Sequence, residues 1–277
     1  MAVVLRSQPV VPRPIGERVV GAIAGAARVL QRNLLVYRRT WRGSLFGSFL
    51  TPLLYLTAMG IGLGSLVKSS GSNMLGGLDY IHFLGPGILT SSCMQAASFE
   101  STYPIMGKIA WRHNYDAILA TPMQVHHLLI GELSWIGFRM TSMAAVFLVV
   151  LTLFGIPQSP LALLAIPAAV LTGIAFAAPI IAFSATRTND SGFAALFRFV
   201  INPLFLFSGT FFPITQLPQA IQWVAATTPL YHGVALVRGA VLDAMPGTWP
   251  LNVAYLLVFI AVTGWIAYRA LHRRLVK

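Results

Sequence analysis

The chain has 277 residues, of which 56% are hydrophobic and 9% are charged. A soluble globular domain carries about 25% charged residues, so this composition excludes a soluble enzyme. The 19 Lys and Arg outnumber the 7 Asp and Glu, and we interpret the net charge of +12 as membrane sidedness rather than nucleic-acid binding. The single cysteine, Cys93, excludes an internal disulfide. We therefore expect an all-α integral membrane protein.

The N-terminal region is basic and lacks the pattern of a cleavable signal sequence. Residues 1–16 predict a cytoplasmic tail. Residues 17–42 predict an amphipathic helix, with Arg28 and Arg32 on one face and Val29 on the opposite one. We expect this helix to lie on the cytoplasmic leaflet, with its arginines toward anionic lipid and its apolar face in the acyl boundary. It serves either as a plain anchor or as part of a docking surface for a soluble partner.

Hydropathy predicts six membrane spans, since a helix needs about 20 apolar residues to cross a bilayer. The spans are expected at about residues 44–66, 80–99, 127–153, 161–183, 199–211 and 251–268. Of the 19 Lys and Arg, 16 lie on one side of these spans, Lys68 and Arg238 lie on the other, and Arg139 falls inside the third span. By the positive-inside rule, both termini are cytoplasmic and the protein lies in the plasma membrane.

The loop between the second and third spans, Glu100–Thr121, mixes charged residues with apolar ones such as Trp111. Its length and composition predict a helical cytoplasmic loop rather than a turn or a disordered linker. This loop either inserts into a groove on a partner or is a solvated amphipathic segment. After it, Thr121 followed by Pro122 and Gln124 predicts a capping box that starts the third span helix at Thr121.

Glu132 and Arg139 lie seven residues apart, which places them on one face of the third span helix. Charged side chains near a bilayer face protein or water. A structural pairing is favoured over a proton relay, because arginine does not deprotonate.

Two polar stripes recur at helical spacing in the first two spans. They consist of Ser44, Ser48, Thr51 and Tyr55 in the first, and Ser91, Gln95, Ser98 and Thr102 in the second. Each stripe either lines a path for an amphipathic substrate or packs one helix on another, and the sequence leaves both readings open.

Residues 199–237 carry no Lys, Arg, Asp or Glu but contain four prolines. This pattern predicts short helices at about 219–225 and 230–242 that re-enter the outer leaflet. The chain has no phosphate-binding glycine loop, no zinc-binding HExxH or CxxC and no GxSxG elbow. We therefore expect no catalytic residue, no metal and no cofactor bound by this chain.

Several blocks resemble the permease subunits of ABC-2 type ABC exporters. The clearest are Pro203–Pro213, Leu217-Pro218, Thr228–His232 and Arg238. Within that family, Asp79-Tyr80-Ile81, Phe99-Glu100 and Asp116–Pro122 resemble the nodulation lipo-oligosaccharide exporters, a branch close to the daunorubicin-resistance permeases. The resemblance extends over about residues 30 to 270.

The resemblance implies a six-span permease that dimerises, as a homodimer, and binds two copies of a separate ATPase subunit carrying ATP and Mg. The N-terminal helix and the loop after the second span would form the coupling surface. The residues assigned to this surface are Glu100, Lys108, Arg112, Asp116, Arg38 and Arg39. The substrate would pass between the protomers along the first, second and fifth spans. The pathway residues are Ser48, Thr51, Tyr55, Ser91, Gln95, Ser98 and Phe207.

The implied function is ATP-driven export of a lipid-linked or hydrophobic molecule, such as a glycolipid or a drug, from the cytoplasmic leaflet. A proton-coupled secondary transporter is the alternative. Such proteins carry ionisable residues at mid-membrane, and here Arg139 is the one that lies deep in a predicted span.

Overall fold

The computed structural model describes residues 15–39, 41, 43, 50, 53–63 and 78–276. Within these ranges the chain is helical and contains no strand. Most of the predicted tail and much of the predicted first span lie outside the described residues, and so do Ser44, Ser48 and Thr51 of the first polar stripe.

Eleven α-helices are present in the described ranges, several of them joined by single turns of another helix type. The first five are α1 (Ile15–Tyr37), α2 (Tyr80–Glu100), α3 (Tyr103–Met106), α4 (Asn114–Leu119) and α5 (Val125–Leu153). The remaining six are α6 (Ala165–Thr186), α7 (Ser191–Leu196), α8 (Asn202–Phe207), α9 (Gln219–Ala226), α10 (Pro229–Val241) and α11 (Trp249–Leu275). π-Helical turns occur at Leu56–Leu63, Gly107–Trp111 and Phe197–Ile201, and 3-10 turns at Pro160–Leu164 and Ile214–Gln216.

Three helical segments of the described chain are long and apolar enough to cross a bilayer. They are Val125–Leu153, Pro160–Thr186 and Trp249–Leu275, which coincide with the predicted third, fourth and sixth spans. α2 coincides with the predicted second span and has the length, but not the hydropathy, of this group. Short helices α9 and α10 occur at the two places where the sequence predicts them.

The helix predicted at 199–211 has different bounds. Helical structure begins eight residues earlier, at Ser191, and ends four residues earlier, at Phe207. It ends there because Gly209 adopts a left-handed conformation with φ of 82°. Arg198 consequently lies inside the helix rather than in the loop before it, where the charge count had placed it.

The third span helix starts later than its capping motif predicts. Its N-cap is Gln124, whose backbone N–H donates to Nδ1 of His127 at 2.9 Å. Thr121 is not the cap, because its hydroxyl donates backward to the carbonyl of Ile118 at 2.6 Å and so closes α4. The prediction of a capping box at Thr121 was therefore wrong.

Helix α1 packs along the first half of α5, through two contacts that glycine makes possible. A Cβ on Gly131 would lie 2.5 Å from the Cβ of Val29, and one on Gly25 would lie 2.7 Å from the ring of His127. Because Val29 is buried here, the face that the sequence analysis assigned to lipid packs on protein instead. The apolar residues that α1 exposes are others, including Leu35 and Val36.

The remaining long helices form one bundle around α6, which contacts α2, α5, α10 and α11. On the side of α10, Gly233 lies so close to Thr172 that a Cβ would come within 2.1 Å of its hydroxyl oxygen. Small residues that let backbones approach are the usual means by which helices associate in lipid, where apolar burial supplies no driving force.

Arg238, at the end of α10, joins three parts of the bundle. Its guanidinium donates to the carbonyls of Phe83 at 3.1 Å and Gly209 at 2.8 Å, and it stacks over the Phe83 ring at 3.8 Å. The buried guanidinium thereby finds hydrogen-bond acceptors on two separate segments, which a low-dielectric surrounding demands.

We predict that Gly131→Ala destabilises the protein by about 1–3 kcal/mol, because the added methyl overlaps the root of the Val29 side chain. This loss occurs although alanine is the better helix former by about 1 kcal/mol. Thermal unfolding of the full chain in detergent measures it. Gly264→Ala in α11 is the matched control, since a Cβ there meets no described atom within 4 Å. An unchanged melting temperature for Gly131→Ala would contradict the packing of α1 on α5.

Candidate functional site

The centre of the candidate site is the carboxylate of Glu132, on the second turn of α5. Its side chain is 2% exposed, and its Oε2 lies 2.6 Å from Nζ of Lys108, in the π-helical turn after α3. Nδ2 of Asn33, on α1, lies 3.4 Å from the same oxygen. One buried carboxylate therefore connects α5, α1 and the loop that precedes it.

Tyr115 and Arg32 complete this buried cluster. Burial raises the pKa of the Tyr115 phenol well above its usual range, the charge of Glu132 adds to the rise and Arg32 opposes it. The phenol is therefore a neutral donor at every physiological pH. Among the described residues, Tyr115 OH, Glu132 Oε1 and Arg32 Nη1 are buried without a hydrogen-bond partner, so the charge on Glu132 is balanced mainly by Lys108.

A second ion pair lies two turns further along α5. Nη2 of Arg139 is 3.1 Å from Oε1 of Glu100, the last residue of α2, and the guanidinium lies 5.2 Å from the centroid of the Tyr37 ring on α1. Both pairs are mostly shielded from solvent. Glu132 and Arg139 share one face of α5, as predicted, but each pairs with the loop rather than with the other.

The two pairs attach the loop Glu100–Thr121 at its start and at its middle to a single helix. Breaking a buried pair costs about 3–5 kcal/mol, since it leaves a charge without compensation. The two pairs therefore hold the loop on the first half of α5, and α1 contacts both pairs through Asn33 and Tyr37.

The outward surface of the loop holds the other residues predicted for coupling. Arg112 and Asp116 are exposed, and the carboxylate of Asp116 lies 2.9 Å from Nδ1 of His113. His113 has a φ of 48°, so it turns the chain sharply between the π-helical turn and α4. Trp111 is 57% exposed beside them. Arg38 and Arg39 are exposed too, in the turn after α1.

The six residues predicted for coupling therefore fall into two groups. Arg112, Asp116, Arg38 and Arg39 present charge to the exterior, whereas Glu100 and Lys108 point inward and hold the loop in place. A cleft of about 650 Å³ lies beside this surface, between α1, α4 and the start of α5. It is lined by apolar side chains such as Ile118 and Met123 and by Arg28.

The polar stripe of α2 is packed within the protein. The hydroxyl of Ser91 lies 2.9 Å from the carbonyl of Gly87 and 2.7 Å from the hydroxyl of Thr210, and Ser98 donates to the carbonyl of Met94 at 2.7 Å. Both serines are fully buried and Gln95 is half-buried. These contacts are those of helix packing, and a role of the three residues in a substrate path stays a prediction.

Tyr55 and Phe207, the other described pathway residues, are differently placed. Tyr55 is 36% exposed and Phe207 is 40% exposed, so both present apolar surface outward. The ring of Tyr55 meets that of Phe205 edge-on, with centroids 6.5 Å apart, which makes the first span segment and α8 neighbours.

Sequence reasoning missed Tyr115 and Asn33, although both reach Glu132. Neither has a local signal, because an Asn on a basic helix and a Tyr in a mixed loop are ordinary residues. The approach of Asn33 depends on α1 crossing α5 at Gly131, and the burial of Tyr115 depends on the loop packing on α5. No group of three or more His, Cys, Asp and Glu that could hold a metal occurs in the part of the chain that the structure describes.

The chain belongs to the ABC-2 type transporter family, whose profile matches residues 27–242. It is therefore the membrane component of a transporter of that class, which works with an ATPase partner. The resemblance stated above is confirmed.

Individual relatives cover nearly the whole chain. It is 29% identical to Nodulation protein J of Rhizobium leguminosarum bv. viciae, over 90% of this chain and 94% of that protein. It is 30% identical to Nodulation protein J of Rhizobium meliloti (strain 1021), over 89% and 92%. It is 21% identical to the inner membrane transport permease YadH of Escherichia coli (strain K12), over 86% and 90%.

We predict that the Lys108–Glu132 pair behaves non-additively. Lys108→Met leaves Glu132 buried without its cation and lowers the stability by about 3 kcal/mol, whereas the double variant Lys108→Met/Glu132→Gln recovers most of this loss. Thermal unfolding of the purified full chain measures both. Arg273→Met, which removes an exposed cation from α11, is the control and should leave the melting temperature unchanged. Equal losses of stability in the single and double variants would show that the loss does not come from leaving Glu132 without its cation.

Proposed function

We propose that this chain is the transmembrane permease of an ATP-driven exporter that moves a lipid-linked or amphipathic substrate, glycolipid or drug-like, out of the cytoplasmic leaflet. A separate ATPase subunit supplies the energy, and the permease itself performs no covalent chemistry. Membership of the ABC-2 type transporter family supports the class of protein. The observation that supports the mechanism is the attachment of the loop to α5 by the Glu132 and Arg139 ion pairs.

In the proposed mechanism, a movement of the ATPase against the loop surface is transmitted to the membrane spans. An ATPase that binds Arg112 and Asp116 acts on a loop that cannot shift without α5 and α1, because its two inward residues are ion-paired. Glu100 ends α2, so the same movement reaches the second span. ATP binding to the partner then favours one of two arrangements of the spans, which is a population shift between states.

The proposed topology has six spans, with both termini and the loop Glu100–Thr121 in the cytoplasm. The charge asymmetry of the sequence supports this orientation. Helices α9 and α10 would then re-enter the outer leaflet. This position suits α10, because the guanidinium of its Arg238 donates hydrogen bonds to backbone carbonyls of the protein. Two copies of the permease, as a homodimer, and two ATPase subunits complete the proposed assembly.

The proposed substrate path runs between protomers along the first and fifth spans. Tyr55 and Phe207 support it, because they offer exposed aromatic surface on adjoining segments. Proton coupling is disfavoured by the pairing of Arg139, on the third span helix, with Glu100. Arginine does not deprotonate, so the guanidinium of this pair is a poor proton carrier.

We predict that a Walker-motif ATPase copurifies with the tagged protein in mild detergent. Arg112→Ala and Asp116→Ala should each release it or uncouple its ATP hydrolysis from transport, because both side chains lie on the outward surface of the loop. Arg273→Ala and Asp190→Ala, which remove exposed charges of the same signs elsewhere, are the controls. Mass spectrometry identifies the partner, and ATPase activity with and without substrate measures coupling.

The opposite outcome is equally specific. If the protein purifies without an ATPase, and transport in vesicles survives ATP depletion but stops when the proton gradient collapses, secondary transport replaces this proposal.

A further inference from the structure

A second cleft, of about 390 Å³, lies on the other side of the buried cluster, between α1, α3 and α5. We call it the basic-aromatic cleft, and the residues that define it are Arg32, Val36, Lys108, Trp111, Arg112 and Trp135. Glu100 and Arg139 also line it. The cleft therefore combines four cationic side chains with one carboxylate.

The charges of this cleft do not cancel. Glu100 pairs with Arg139, and Lys108 pairs with Glu132 behind the wall. Neither Arg32 nor Arg112 forms an ion pair with any acidic residue that the structure describes. Nη1 of Arg32 is buried in the cluster around Glu132, so the donors left for an anion are those of Arg112, the other donors of Arg32 and those that Lys108 does not use on Glu132. Guanidinium forks match the oxygens of a phosphate.

The depth of the cleft indicates where that anion comes from. α5 is 29 residues long, about 43 Å. About 20 residues cross the hydrocarbon core, so roughly nine residues of α5 extend beyond it. Counting about 20 residues back from Leu153 places the boundary of the core close to Trp135. Tryptophan is enriched at this level, where lipid headgroups lie. Trp111 and Val36 are exposed apolar residues of the cleft wall, and Leu35 extends this apolar surface beyond Val36.

We propose that the basic-aromatic cleft binds the phosphate headgroup of an anionic membrane lipid. Arg32 and Arg112 bind the phosphate oxygens, and an acyl chain lies along Leu35 and Val36. Charge complementarity and the adjoining apolar surface favour a lipid over a soluble anion, which needs only the charges. A lipid bound in the cleft contacts both α1 and the loop, and so stabilises the packing of the loop on α1. Arg112 belongs both to this cleft and to the coupling surface, whereas Arg32 belongs to the cleft alone; lipid binding itself requires neither transport nor the ATPase.

Native mass spectrometry of the full-length protein in detergent tests this site. The probes are dioleoylphosphatidylglycerol, dioleoylphosphatidylcholine and inorganic phosphate. We expect phosphatidylglycerol to remain bound in preference to phosphatidylcholine, and Arg32→Gln and Arg112→Gln each to weaken that binding about tenfold. Arg273→Gln removes an exposed cation from α11 and should leave it unchanged. Arg112 is exposed, so its variant folds even if Arg32→Gln does not.

Three results would overturn the proposal. Equal retention of the two lipids would show that the headgroup charge is not recognised. Displacement of phosphatidylglycerol by an equal concentration of inorganic phosphate would make the cleft a site for soluble anions. A loss as large in Arg273→Gln as in Arg112→Gln would show that only the net charge attracts the lipid. The permease is expressed without an ATPase for this measurement, so failure of this proposal is distinct from failure of the proposed export function.

Discussion

A single buried carboxylate, Glu132, organises the end of the protein where the loop and the N-terminal helix meet. An ionised carboxyl in a low-dielectric surrounding needs a cation at contact distance, and Lys108 provides one at 2.6 Å. This requirement fixes the loop on α5, and the loop in turn buries Tyr115 against the same group. The exterior charges of the loop have a defined position only because its interior charges are satisfied.

At the opposite end of the bundle, a buried charge is stabilised in a different way. There Arg238 has carbonyl oxygens as partners in place of a carboxylate, and its ring contact with Phe83 completes its surroundings. Between the two ends the helices approach through glycine and small hydroxyl residues, as at Gly233 and Thr172. Polar side chains of the described bundle find partners within their own helix or on a neighbouring segment, as Ser91 does with Thr210, an arrangement that suits a chain surrounded by lipid.

Much of the fold follows from local pattern. Continuous apolar runs predict both bounds of α2 and α5 and the start of α11 to within two residues, because length and hydropathy are properties of the segment alone. The basic end of α11 continues seven residues beyond the predicted span. The helix predicted at 199–211 has other bounds, since it begins at Ser191 and ends before Gly209, which adopts a left-handed conformation. The predicted cap of α5 was wrong as well. The hydroxyl of Thr121 donates to a carbonyl of the preceding helix and so closes that helix instead of starting α5. The family resemblance came from the blocks around Pro203 and Thr228 and was confirmed.

The sequence by itself determined a helical membrane protein of the ABC-2 type transporter class, because composition, charge asymmetry and motif are encoded residue by residue. Only the tertiary structure decided which charges face outward. Glu100, Lys108, Arg112 and Asp116 look equivalent in the sequence, yet two of them are ion-paired with α5 and two are exposed. The physical reason is that a partner 24 or 39 residues away along the chain comes within contact distance only after the helices pack.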